Sequence, residues 1–460
     1  MEMSSVLPSS FRDPSGFIYR RGGRIYRQIN HVYKDDYDFF VESGLCDILH
    51  KDLLLIDHKE VDLKFAFNKQ AYKVIEPVII PFISYPYDWC FSMLKDAALL
   101  TLSIQKVAIE HGMSLKDASA FNVQFLDGKP IFIDTLSFEK YKEDEPWVAY
   151  RQFCQHFLAP LFLMSLTDLR LNQLLKIYLD GIPLDLASKM LPKRSYLNFS
   201  IFSHIHLHAK SQSKYADKQV SVSTQRVGFG KIQMLALIDS LFSSVEGLYP
   251  KKAKTEWGEY YTFTNYKKDS FSVKGKIVGE MIKKIKPNIV WDLGANDGYF
   301  SRIAASYASL TVASDIDPVA VEKNYLQIKK NKEKNIIPLI VDLTNPTSDY
   351  GWANNERDSL INRGPADVAM ALALIHHLAI GNNLPFEKIA SFFAQICNYL
   401  IIEFVPKEDS KVKILLASRE DIFIAYDQEN FESVFKKYFH LVSKEEVKNS
   451  LRTIYLYKAK

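Results

Sequence analysis

Between Asn288 and Val405 short apolar runs alternate with helical patterns: NIVWDLG, a helix from about Gly298, SLTVASD, the helix PVAVEKNYLQIKKNKEK, then IIPLIVDL, ADVAMALAL and YLIIEFV. A strand that is apolar throughout is one covered on both faces. Such strands alternating with helices predict a parallel sheet wound on both sides. The last segments, FHLVSKEEV and LRTIYLYKAK, read as a closing antiparallel pair. Sheets of this kind bind ligands at the carboxyl ends of their strands, so the turns there are where chemistry is expected.

The first of those turns is WDLGANDGYFS, Trp291 to Ser301. A dinucleotide loop has the spacing G-x-G-x-x-G. Here Gly294 and Gly298 flank Asn296, and Tyr299 stands where the third glycine would be. The acid Asp292 before the turn is a poor neighbour for a pyrophosphate and a good one for a positively charged ligand. Asn tolerates positive φ better than most residues, so Asn296 can keep the loop's shape. Asp315 ends the second strand and is followed by Ile316. Asp342 and Leu343 end the third. His376 and His377 follow the fourth, and Glu403 ends the fifth.

This series, from about Glu256 to Lys460, resembles the class I S-adenosylmethionine-dependent methyltransferases, which carry an acid and then G-x-G-x-G at the end of the first strand. The resemblance implies a Rossmann-like seven-stranded α/β sheet with a closing antiparallel hairpin and S-adenosyl-L-methionine as cofactor. It assigns Asp292, Gly294, Asn296 and Gly298 to the cofactor loop, Asp315 to the ribose hydroxyls, Ile316 to the face of the adenine, and Asp342 with Leu343 to its edge. A neutral imidazole suits a general base near pH 7, which makes His376 and His377 catalytic candidates. The alternative is that His-His-Leu only opens a helix. Glu403 is a third candidate, as a base, a substrate contact or a paired strand-end acid. Asp367 starts the fourth strand and is expected at the opposite edge.

The N-terminal part carries a second pattern. Asp117 is followed five residues later by Asn122, then by the hairpin NVQFLDGKPIFID and Asp134. Together with the preceding apolar helix FSMLKDAALLTLSIQKVAIEHGM, this resembles the catalytic loop of protein kinases and aminoglycoside phosphotransferases. There a loop Asp faces the accepting hydroxyl, and Asn and Asp oxygens hold Mg²⁺. The resemblance implies an α+β, kinase-like domain with a second nucleotide site at Asp117, Asn122 and Asp134. The pattern departs from those families in three ways. No glycine-rich phosphate loop is present, Lys116 precedes the loop Asp, and Asp134-Thr135-Leu136 replaces Asp-Phe-Gly. The small-lobe lysine has only Arg27 or Lys73 as candidates. GFIYRRGGRIYRQI reads as a hairpin around Gly22-Gly23.

In HIHLH, His204, His206 and His208 would share one face of a strand. No carboxylate or cysteine stands at a ligand-like spacing nearby, and no metal is expected.

Composition bounds the rest. At 460 residues, 47% of them hydrophobic and 24% charged, the chain can bury more than one core. A formal charge of +4 gives no electrostatic case for nucleic acid. Four scattered cysteines without a C-x-x-C, and an N-terminus lacking an apolar signal core, fit a cytoplasmic protein. The longest apolar run, Phe157 to Leu166, is too short to span a bilayer. The polar stretch His208 to Gly228 reads as a linker, which suggests an N-terminal domain at 1–207, a linker and connecting helix at 208–255, and a methyltransferase domain at 256–460. The whole chain resembles bacterial methyltransferases with a long N-terminal extension related to nodulation proteins, which suggests a saccharide or lipo-oligosaccharide as methyl acceptor. The N-terminal domain would position that substrate. The alternatives are a bifunctional enzyme with a phosphotransferase module and a non-catalytic, cofactor-sensing scaffold.

Overall fold

The computed structural model describes residues 4–210, 230–251, 268–417 and 420–460. Most of the expected linker and the expected domain start at Glu256 lie outside the described residues. The chain divides into two compact units, Met1–Ala253 with Tyr350–Arg357, and Lys254–Asp349 with Asp358–Lys460.

The first unit begins with an antiparallel sheet of β1 (Ser5–Val6), β2 (Gly16–Arg21), β3 (Arg24–Asn30), β4 (His58–Val61) and β5 (Ala71–Pro77), in the order β1-β2-β3-β5-β4. The β2–β3 turn takes positive φ at both Gly22 (57°) and Gly23 (75°), a combination that suits hairpin twist and that L side chains resist. Helices Lys34–Glu42 and Leu45–Lys51 join β3 to β4. The helix Phe91–Glu110 follows; it is long because no glycine or proline interrupts it, and Leu94, Ala97, Ala98, Leu102 and Ile104 bury its apolar face. The helix Lys231–Glu246 packs along it. Lys95 ends that helix by donating to the carbonyls of Glu246 (2.7 Å) and Leu248 (2.9 Å), and Lys106 pairs with Asp239 (2.8 Å). β6 (Met113–Leu115) pairs with β9 (Phe138–Lys140), and β7 (Val123–Leu126) with β8 (Lys129–Phe132) through an Asp127-Gly128 turn.

One expectation fails in this unit. HIHLH is not a strand: Phe202–His206 is a π-helical turn continuing a helix started at Phe199 under the Asn198 cap. Helical winding keeps His204 and His208, four residues apart, on one side and turns His206 away from them, so the alternation does not bring all three rings to one face. His204 and His208 both lie against Tyr150, whose hydroxyl is 2.6 Å from His204 Nδ1. His206 lies between the Ser188 and Ser195 hydroxyls at 2.7 and 2.8 Å and stacks on Tyr196.

Tyr350–Arg357 belongs to this first unit although it is flanked in sequence by the second. Glu356 is 5% exposed and pairs with Arg12 at 2.8 Å, the Arg357 guanidinium lies 4.4 Å over the Phe121 ring, and Tyr350 meets Tyr87 edge to face.

The second unit is one seven-stranded sheet in the order β12-β11-β10-β13-β14-β16-β15. β10 (Ile289–Leu293), β11 (Leu310–Asp315), β12 (Ile336–Ile340), β13 (Ala366–Ala371) and β14 (Cys397–Phe404) run parallel. β15 (Phe439–Glu446) and β16 (Thr453–Ala459) are antiparallel, with β16 inserted beside β14. The reversal on either side of β10 opens a crevice where β10 and β13 diverge toward their helices. Asp367 lies at the other edge, where its carboxylate accepts from the Asn288 and Ile289 amides (2.8 and 2.9 Å). Among the described residues, no helix is long and apolar enough to cross a membrane, and all four cysteines are buried and outside any disulfide.

Candidate active site

The crevice holds a cavity of about 300 Å³ at the carboxyl ends of β10 to β13. Its wall includes Asp292, Gly294, Asn296, Asp315, Ile316, Asp342, Leu343 and His377, so eight expected residues from four separate turns meet on one space. Gly298, His376 and Glu403 are not part of its lining.

The turn after β10 is held by backbone bonds. The Gly294 and Ala295 amides donate to the Ser314 carbonyl (2.8 and 2.9 Å). Gly294, Asn296 and Gly298 all take positive φ, at 80°, 51° and 86°. Asn296 thus adopts the left-handed backbone that a glycine would take there. Gly298 shapes the site from behind. A Cβ on it would come within 2.4 Å of Asn324 Oδ1, so only glycine lets the helix Tyr299–Ala305 start this close to its neighbour.

Asp315 is 9% exposed. Its Oδ2 accepts from the Asn296 amide (2.8 Å) and its Oδ1 from the Asp317 amide (2.9 Å). These bonds fix the carboxylate but do not neutralise it. Burial lifts its pKa to about 6. Asp292, 2% exposed, accepts from the Ser301 hydroxyl (2.6 Å), and burial lifts it further, to about 7. Ile316 does the reverse of what an isoleucine usually does: it is 55% exposed at the cavity wall. Asp342 Oδ1 accepts from both the amide and the hydroxyl of Thr344 (2.8 and 2.7 Å), which holds its turn in place.

The catalytic candidates separate. Burial depresses both imidazoles, His377 to about 4 and His376 well below its ordinary value, so both are neutral at pH 7. His376 is 1% exposed and its Nδ1 has no partner among the described residues; it stands behind His377, the rings 4.1 Å apart. Glu403 is fully buried and bonded to Lys274 Nζ (2.5 Å), with Arg452 at 3.7 Å and Asp409 holding Arg452 from its other side (2.8 Å). Burial alone would raise the Glu403 carboxyl, but the two cations outweigh it and keep the group ionised below its ordinary value. Glu403 is thus ion-paired at the end of β14.

Lys274 was missed by sequence reasoning, yet it lines the cavity. It lies on the helix Lys268–Ile285, 2% exposed, with its ammonium 4.8 Å from the Phe300 ring. Its signal is positional: it follows Phe271 by three residues and precedes Val278 by four, so a charge occupies the apolar face of an amphipathic helix.

In the first unit, Asp117, Asn122 and Asp134 also come together. Asn122 Nδ2 donates to the Ser137 hydroxyl (3.3 Å), Ser137 in turn donates to Asp134, and Gln152 holds Asp117 (2.8 Å). Asp117 is raised by burial and by the nearby Asp134 charge. Asp134 is different: the Arg27 guanidinium, from β3, is bonded to its carboxylate. Burial would raise this acid, and Arg27 with Ser137 holds it below its ordinary value instead. Lys73, the other candidate cation, pairs with Glu60 (2.7 Å).

No protein-family model matches the chain. Among solved structures it is similar to the N-methyltransferase NodS from Bradyrhizobium japonicum WM9 in complex with S-adenosyl-L-homocysteine, at 8% identity, 45% of this chain, 99% of that one and a TM-score of 0.33. It is also similar to the bifunctional kinase-methyltransferase WbdD, at 15% identity and a TM-score of 0.31. That match covers 42% of this chain and only 40% of WbdD. The nodulation protein NoeA of Rhizobium meliloti (strain 1021) is 34% identical over 461 residues, spanning 98% of this chain and 95% of that protein. With that identity along nearly its whole length, the chain belongs to the NoeA family of nodulation proteins.

Proposed function

We propose that the protein is a class I methyltransferase that binds S-adenosyl-L-methionine in the cavity of its second unit. The observation that carries this reading is the Asp315–Ile316 pair. A buried carboxylate fixed by two backbone amides, next to an isoleucine held out of the core, offers a diol acceptor beside a flat apolar surface. Asp315 accepts the ribose hydroxyls, Ile316 covers the adenine, and Asp342 with Leu343 borders its edge. Asp292 faces the positive end of the ligand, where its charge is stabilised on binding. The sulfonium, when bound, supplies an already activated methyl group.

What remains for the chain is to align the acceptor and receive its proton. His377 is the residue placed for this, being neutral and at the cavity wall. His376 positions His377 from behind. The charged set of Lys274, Glu403, Arg452 and Asp409 forms a rigid floor whose charges cancel. The acceptor in this reading is a saccharide or lipo-oligosaccharide, with the first unit positioning it. Titrating the full-length chain with S-adenosylhomocysteine and with NADH tests the site: binding of the first alone is expected, and binding of NADH alone would overturn it. Transfer of labelled methyl into saccharide and lipid fractions of a rhizobial extract then identifies the acceptor.

A phosphotransferase reading of the first unit rests on the convergence of Asp117, Asn122 and Asp134. Arg27 weighs against it, because its guanidinium stands on the carboxylate that a metal ion would need. The first unit is accordingly read as a substrate-positioning module.

A further inference from the structure

We propose that the first unit carries a structural zinc site built from Cys46, His50 and His58, with Asp57 as fourth ligand. Cys46 and His50 stand one turn apart on the helix Leu45–Lys51, so their side chains share a face; His58 opens β4 and Asp57 precedes it. One ligand atom from each of Cys46, His50 and His58 lies within 4.8 Å of the others. Cys46 Sγ is 3.8 Å from His50 Nδ1, and that nitrogen is 3.6 Å from Asp57 Oδ1. Zinc bonds of about 2.0–2.3 Å in tetrahedral geometry put neighbouring ligand atoms roughly 3.3–3.8 Å apart. The two measured separations fall in that range, and small side-chain rotations bring in the remainder.

One imidazole itself points to an ion. His58 Nδ1 is buried and has no hydrogen-bond partner among the described residues, although buried polar atoms are nearly always satisfied. The His50 and His58 rings meet edge to face at 4.8 Å, so neither satisfies the other by a hydrogen bond. One thiolate, two imidazoles and one carboxylate form a donor set suited to Zn²⁺: borderline-soft, four ligands, and neutral overall once Cys46 has released its proton to solvent. Asp57, with a side chain 67% exposed, gives the ion its path in.

The site sits where a clip has a purpose. Residues 54–56 are stitched to the β7–β8 hairpin by Ile56 N to Phe132 O (2.8 Å) and Phe132 N to Leu54 O (2.9 Å). An ion joining the helix to the start of β4 closes the chain across that contact. From the sequence a metal was weighed only at His204, His206 and His208, and these four residues were not considered.

The test uses the full-length chain stripped with chelator and titrated with Co²⁺ as a spectroscopic probe, followed by Zn²⁺ competition. The expected result is one ion per chain, a thiolate-to-metal charge-transfer band, displacement by Zn²⁺, and at least a tenfold weaker affinity in Cys46→Ser and His58→Gln. Absence of bound ion at stoichiometric concentration, or binding unchanged in both variants, would overturn the proposal. An alkylation map of the wild-type chain covers the case where a variant fails to fold. Zn²⁺ should slow modification of Cys46 and not of Cys90, Cys154 or Cys397, whereas equal protection of all four would count against the site.

Discussion

Two clusters of acids, one in each unit, occupy turns where nucleotide chemistry was expected, and they are finished differently. In the second unit Asp292 and Asp315 are buried without a cation bonded to them, and their pKa values rise to about 7 and 6. In the first unit Asp134 is less deeply buried, is bonded to Arg27, and lies below its ordinary value. A buried carboxylate with only neutral donors is a standing electrostatic cost that a ligand can relieve. A carboxylate already paired with a guanidinium has nothing left for a metal to relieve. The difference teaches that convergence of the right residue types is not enough to define a site; what matters is whether the protein has supplied the counter-charge itself.

The same rule applies within the second unit to Glu403, and there it predicts the largest effect. Lys274→Met leaves Glu403 buried beside Arg452 alone and should lower unfolding free energy by about 3–5 kcal/mol in denaturant titration. The double variant with Glu403→Gln should recover part of that. Full stability in Lys274→Met would show that the acid does not need its partner, and the contrast between the clusters would fail. Next in size, His377→Ala should reduce kcat by about a hundredfold while cofactor affinity stays nearly constant. His376→Ala should act through the packing of His377, lowering thermal stability as well as turnover.

Asp315→Ala should weaken S-adenosylhomocysteine binding by roughly 1–3 kcal/mol in calorimetry, the worth of the lost ribose bonds. The pH dependence sharpens the point. Ribose hydroxyls and a cationic ligand both favour the ionised forms of Asp315 and Asp292, so bound pKa values lie below about 6 and 7. Affinity should therefore rise as pH climbs from 5 to 7 and level off above that, by up to about tenfold per pH unit for each of the two acids at the steepest point. Flat affinity across that range would mean the acids are already satisfied. The smallest effect belongs to the first unit. Asp134→Ala should leave cofactor binding within about twofold, and Mg²⁺·ATP should bind neither the wild type nor the variant. Metal-dependent ATP binding that vanishes in Asp134→Ala would erase the distinction drawn here.

How much of this was legible in the sequence depended on whether a residue's neighbours were near it in the chain. The parallel strands were legible because ADVAMALAL and YLIIEFV are apolar on both faces, and a strand so covered has one kind of place in a fold. Asn296 was legible because its backbone conformation is a local property. Lys274 was not, and Arg27 was legible only as one of two candidate cations, without its partner. A cation on a strand or helix normally reads as surface, and only the fold shows that Arg27 reaches across 107 residues to Asp134 and Lys274 across 129 to Glu403. HIHLH misled for a related reason: alternating histidines imitate a strand, while the Asn198 cap and the helix it begins decide otherwise. The Asp117, Asn122 and Asp134 pattern of the first unit could be read, but which of its two candidate cations pairs with Asp134 could not.

Tyr350–Arg357 has a consequence for anyone who wishes to take the protein apart. The chain passes between its two units at 253/254, again at 349/350 and again at 357/358. No single cut yields either unit whole. A fragment starting near residue 254 carries off eight residues whose Glu356 and Arg357 were seated against Arg12 and Phe121, and it leaves behind a first unit with those partners bare. Grafting one relative's first unit onto another's second unit would therefore require two pieces of chain to be exchanged together, and the short one lies in the middle of the second unit's sequence.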